Sequence, residues 1–203
     1  MLKNIFGGIL AGILISIGGT VFLSCDNKYV GAVLFSVALL CICLKGYNLF
    51  TGKVGYLAES RKKEDWSQVL TGLFGNAIAT IGLGFVIAYA VPAIKNTAFT
   101  MCEAKLLQLP LQTFIRAIFC GCLMYLAVSI YRNHQKIVGI FFCIPVFILC
   151  GFEHSIADMF YFAASGIVSL KAFVFIIIVI LGNSVGGLLI PILEKIGKGV
   201  KNG

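Results

Sequence analysis

The chain has 203 residues, 60% of them hydrophobic and 12% charged, with a net charge of +8 and a mean hydropathy of +1.01. Soluble domains run at about 45–50% apolar and about 25% charged, so this composition excludes one, along with a disordered chain and a disulfide-stapled secreted module. The basic residues are scattered through short connectors and form no stripe, which excludes a nucleic-acid binder and leaves a polytopic membrane protein with room for about six spans of roughly 20 residues.

The first apolar run, residues 5–24, follows Met1-Leu2-Lys3-Asn4. That start is compatible with a signal peptide, but the run continues at full span length without a cleavage site and is read as a mature helix. Gly7-Gly8, Gly12 and Gly18-Gly19 let neighbouring helices approach it closely. The second run, residues 29–57, is interrupted by Lys45-Gly46-Tyr47-Asn48-Leu49-Phe50-Thr51-Gly52-Lys53. A charge near the bilayer centre costs about 2.5–3.5 kcal/mol even on the gentler insertion scale. Non-helical backbone at that depth is tolerated only where protein or a watery cavity surrounds it, so this break points inward. The third run, 66–94, contains Gly75-Asn76-Ala77-Ile78-Ala79, and the fourth covers 110–131. The fifth, 137–164, is broken at Gly151-Phe152-Glu153-His154-Ser155, and the sixth, 170–193, contains Gly182-Asn183-Ser184-Val185-Gly186.

Helix, broken helix and Gly-Asn helix thus occur twice, which predicts one transmembrane domain over 1–203 made of two inverted three-helix repeats, about 5–94 and 110–193. The Lys/Arg asymmetry of short loops sets orientation. Lys3, Arg61, Lys62, Lys63, Arg132, Lys136, Lys195, Lys198 and Lys201 fall on one side, and Lys28, Lys95, Lys105 and Lys171 on the other. Both termini are therefore expected in the cytoplasm, with the chain in the cell's inner (plasma) membrane.

Cys41, Cys43, Cys120, Cys122, Cys143 and Cys150 lie within apolar runs and read as small lipophilic residues. Cys25 and Cys102 fall in connectors on the same side and are the pair to test for a bridge. His134 sits in the solvated turn Arg132-Asn133-His134-Gln135-Lys136. His154, by contrast, is an ionisable residue inside an apolar run, and such residues are functional by default. A metal site needs more ligands than this one histidine supplies, and no metal or cofactor is expected.

Gly151-Phe152-Glu153-His154-Ser155, continued by Ile156-Ala157-Asp158-Met159-Phe160, resembles the signature of the formate/nitrite transporter family of anion channels. Leu49-Phe50-Thr51, Arg116-Ala117-Ile118 and Leu181-Gly182-Asn183-Ser184-Val185-Gly186-Gly187 extend the resemblance over nearly the whole chain. It implies an all-α, aquaporin-like protomer with helices 2 and 5 broken, assembled as a homopentamer. Each protomer would have its own pore for small monovalent anions such as formate, nitrite, hydrosulfide, acetate or lactate. It implies further that Thr51 is a hydrogen-bond partner of His154, that Leu49 and Phe50 help form an apolar inner constriction, and that Lys105 brings positive potential to the outer vestibule. Asn183 is expected on the pore. Gly121 stands where the family usually has Asn, which predicts a wider pore, and Asp158 also replaces a usual Asn, adding an acidic group one turn from His154.

Physical chemistry supplies a mechanism. The anion is drawn in by Lys105 and by positive helix ends at the breaks. It cannot cross an apolar constriction as a naked charge, so it takes up a proton, from water or through His154, and passes as the neutral acid. The alternatives are a neutral small-solute channel, which paired Asn-Pro-Ala motifs at the breaks would favour and which this chain lacks, and a membrane enzyme, which would need a polar basin beside its nucleophile.

Overall fold

The computed structural model describes residues 2–60 and 62–201. Arg61 lies outside the described residues, as do the side chains of Lys198 and Lys201. The chain folds into helices α1 (Leu2–Ser24), α2 (Lys28–Lys45), α3 (Phe50–Lys53) followed by a 3-10 turn at Val54–Ala58, α4 (Lys63–Ala90), α5 (Pro92–Leu106), α6 (Pro110–His134), α7 (Val138–Leu149), α8 (Ser155–Ser165) and α9 (Leu170–Lys201). Five of them, α1, α2, α4, α6 and α9, are long and apolar enough to cross a membrane. The fifth run crosses as two half-helices of 12 and 11 residues, α7 and α8, so no single helix accounts for it.

The two breaks arise from local chemistry. Gly46 caps α2 in the left-handed region at φ 66°, where a Cβ would be strained, and its N–H satisfies the end of the helix. Gly151 does the same beyond α7 at φ 67°. The chain then runs extended through Leu49 (φ −88°, ψ 123°) and through His154 (φ −113°, ψ 108°) before a new helix starts.

The connector after the third run is itself helical. It is α5, started by Pro92 at its first turn, where the missing N–H has no intrahelical partner to lose. Ile94, Ala98 and Cys102 recur every four residues on its buried face, packed against α8. Lys105 closes the helix.

The halves run in opposite senses. Helix α1 begins beside Asn48 and ends with Phe22 on the wall of one cavity. Helix α6 begins with Gln112 and Arg116 on that same cavity and ends with Tyr131 and Arg132 on the other. Glycines carry the close crossings: Gly8 lies against the Gly72 and Gly75 backbone on α4, and Gly182 and Gly186 lie against α6 at Ala117 and Ile118. The half-helices pack across the halves, α8 onto α4 at Gly84 and the 3-10 turn onto α9 at Gly187.

Candidate functional site

Two asparagines hold the breaks. Asn76 Oδ1 accepts from Phe50 N–H (2.9 Å), and its amide donates to Gly8 O (2.8 Å) and Asn48 O (3.0 Å). Asn183 Oδ1 accepts from Ser155 N–H (2.9 Å), and its amide donates to Ala117 O and Glu153 O (both 2.8 Å). Each side chain is 0% exposed. Each satisfies, in a place no water reaches, one N–H and one carbonyl of its break and ties them to a carbonyl of a continuous neighbouring helix, Gly8 of α1 or Ala117 of α6. The matched partners make Phe50 the counterpart of Ser155 and Leu49 the counterpart of His154.

The pinned breaks meet at the middle of the molecule, where Thr51 Oγ1 lies 2.9 Å from His154 Nε2 with both residues buried. His154 Nδ1 accepts from Ala157 N–H (3.1 Å), capping α8. An acceptor at Nδ1 leaves the proton of a neutral imidazole on Nε2, so Nε2–H donates to the threonine. The threonine hydroxyl hydrogen is then free for a further acceptor. Phe147 stacks on the imidazole at 5.5 Å and 19°.

A cavity approaches this pair from each end. One, about 450 Å³, has Leu49 in its lining together with Lys53, Tyr56 and Arg132. The other, about 440 Å³, reaches His154 past Phe22, Phe147, Lys105 and Arg116. Leu49 lines the first cavity, and Phe50, next to it in the chain, is buried but is not part of that lining.

Several expectations change in this geometry. Lys105 does border the cavity next to His154, but its ammonium is not free: it forms an ion pair with Glu153 and a second with Asp158 at 3.0 Å, and both carboxylates are 1% exposed. Gln108 Nε2 donates to the other Glu153 oxygen (2.7 Å) and Thr113 donates to Gln108 Oε1 (3.2 Å). Asp158 therefore faces Lys105, and the backbone N–H at His154 Nδ1 leaves the acid no bond to that nitrogen. Asn183 spends its amide on backbone groups and lines neither of the two cavities. Gly121 is not a pore-widening position: a Cβ there would collide with Asn183 O and lie 2.9 Å from Gly187 N, so it is a contact of α6 with the α9 backbone. All eight cysteines are free, Cys25 and Cys102 included. Among the described residues no group of three His, Cys, Asp or Glu side chains is placed to hold a metal.

Sequence reasoning named no role for Asn76, Glu153, Gln108 or the Arg116 side chain. Asn76 carried a signal in its Gly-Asn match to Asn183. The pairing of Lys105 with carboxylates 48 and 53 positions away left no trace in any local pattern.

Comparisons with known proteins agree with this architecture. A family profile described as formate/nitrite transporter matches residues 1–195. An uncharacterized transporter, YwcJ, of Bacillus subtilis is 29% identical over 188 residues, covering 81% of this chain and 73% of that protein. A formate-nitrite transporter of Plasmodium ovale is 26% identical over 189 residues, 79% of this chain and 60% of that protein, so the match spans less than two thirds of the Plasmodium protein's length. Among solved structures, a pentameric formate channel with formate bound superposes with a TM-score of 0.74 at 24% identity, covering 93% of both chains. That likeness is one of fold.

Proposed function

The chain belongs to the formate/nitrite transporter family, and on that premise we propose that this multi-pass membrane protein is a channel for small monovalent anions, formate first among them, passing each anion with a proton. The observation that carries the reading is the Thr51–His154 pair, buried between two opposed cavities and held there by two asparagine-pinned breaks. Leu49 and Phe50 form the apolar constriction on the Lys53/Arg132 side, where a naked ion would be expelled. The anion loses its hydration as it approaches His154, gains a proton and crosses as the neutral acid. The fixed Nε2–H and the Thr51 hydroxyl offer that acid donors in an otherwise apolar stretch. Protonating Nδ1 would cost the bond that caps α8, so water in the His154 cavity is favoured as the proton's source over the imidazole itself.

The Lys53/Arg132 end faces the cytoplasm, with both termini, because basic connectors favour that side of a plasma membrane. The protomer is one domain whose inverted repeats run over about 5–94 and 110–193, a division supported by the matched asparagine bonds. Five copies assemble, as in the solved formate channel of the same fold. Uptake by proteoliposomes of formate, nitrite, hydrosulfide, acetate and lactate, with glycerol alongside, tests the reading. Saturable uptake of the anions without glycerol flux is expected; glycerol flux without anion uptake would replace it with a neutral-solute channel.

A further inference from the structure

The cavity that reaches His154 has two cations on its wall, Lys105 and Arg116. Lys105 is matched by Glu153 and Asp158, one formal positive charge against two negative ones, both carboxylates buried with it. Seen from an approaching anion this cluster does not attract. Arg116 is half-buried one turn beyond Gln112 on α6, and among the described residues it has no carboxylate within ion-pair distance and no hydrogen bond. A guanidinium that no protein group pairs presents its charge and its N–H donors to the cavity. Its Nη1 lies beside Gly151, 3.9 Å from where a Cβ would stand, which puts the guanidinium next to the turn directly ahead of Phe152-Glu153-His154.

We infer that Arg116 is the anion-capture residue of the cavity leading to His154, and that its guanidinium makes the channel prefer planar oxyanions over spherical ones. The inference rests on the anion-channel reading and adds a substrate class to it. Carboxylates and nitrite carry two coplanar oxygens that match the parallel N–H groups of a guanidinium, whereas hydrosulfide offers one atom to a fork built for two. Capture happens while the substrate is still an anion, on the vestibule side of His154, before the proton is taken up.

The test compares wild type, Arg116→Lys and Arg116→Gln, each shown by size-exclusion chromatography to be assembled, in proteoliposomes at low ionic strength. Initial uptake rates of formate, nitrite and hydrosulfide are measured against concentration. Arg116→Gln is expected to raise KM for all three about two- to fivefold, the range of a partly screened ion pair, with the maximal rate little changed, and to remove the salt dependence of uptake. Arg116→Lys restores the charge without the fork, so it should recover hydrosulfide and leave formate and nitrite with the raised KM. Equal recovery of all three anions by lysine would overturn the planar preference, and a wild-type KM in Arg116→Gln would overturn the site. A wild type that moves none of the anions would overturn the channel reading and this inference together.

Discussion

Because Ala157 N–H occupies Nδ1 of His154, the imidazole acts through Nε2 alone. On the proposed mechanism, removing it takes away a donor that the neutral acid would meet in a dry stretch, and a polar group left unsatisfied there costs roughly 1–3 kcal/mol. His154→Phe, which keeps an aromatic ring to stack on Phe147, is therefore expected to slow proton-coupled uptake at least about tenfold while the assembled oligomer is kept. Assembled His154→Phe with wild-type rates and pH dependence would remove the histidine from the mechanism. Gly121 makes the opposite kind of prediction. Its missing side chain is filled by the α9 backbone, so Gly121→Asn forces α6 and α9 apart and should lower the yield of folded, assembled protein. Whatever survives should keep the wild-type ratio of formate to lactate uptake; a selective loss of lactate would return Gly121 to the pore wall. The sequence made His154 legible because a titratable residue inside an apolar run needs a reason. Gly121 was misread because the same missing side chain reads as space on a pore wall or as contact between helices, and only the position of α9 decides.

At the scale of elements, the breaks depend on Asn76 and Asn183 more than on their own turns. Asn183→Ala would strand one buried N–H and one buried carbonyl at the break, each at about 1–3 kcal/mol, and remove the tie to Ala117 O. The expected result is a clear fall in the melting temperature of the detergent-solubilised protein, with Asn76→Ala giving a similar fall from its matched set. A wild-type melting curve for either variant would mean that the half-helices hold their positions without the amides. Both breaks were visible as glycine and charge inside hydrophobic runs, and both asparagines as Gly-Asn pairs at corresponding places. Helix α5 was not, since its polar average hides a buried stripe of Ile94, Ala98 and Cys102 that has meaning only once α8 lies against it. The Lys105 cluster was hidden for the same reason: Glu153 and Asp158 reach it from another element. Lys105 is thereby better understood as the group that allows two carboxylates to be buried beside His154 than as a free lure for anions.

At the scale of the molecule, the surface is a broad display of large apolar side chains, among them Phe6, Phe74, Phe85, Phe142 and Phe173. Such a surface is stable only against lipid or another protein. Native mass spectrometry from mild detergent is expected to give five times the 21.9 kDa protomer mass, and a monomer active in liposomes would contradict the assembly. The central claim is that the substrate crosses as a neutral acid between two cavities that do not exchange naked ions. It is tested most directly by loading proteoliposomes with a pH-sensitive dye, imposing an inward formate gradient and reading internal pH and formate together. The account predicts that the lumen acidifies in step with formate entry, that an imposed inward proton gradient drives formate uphill, and that His154→Phe slows both at least about tenfold. Formate entry that charges the membrane and leaves internal pH unchanged would contradict it.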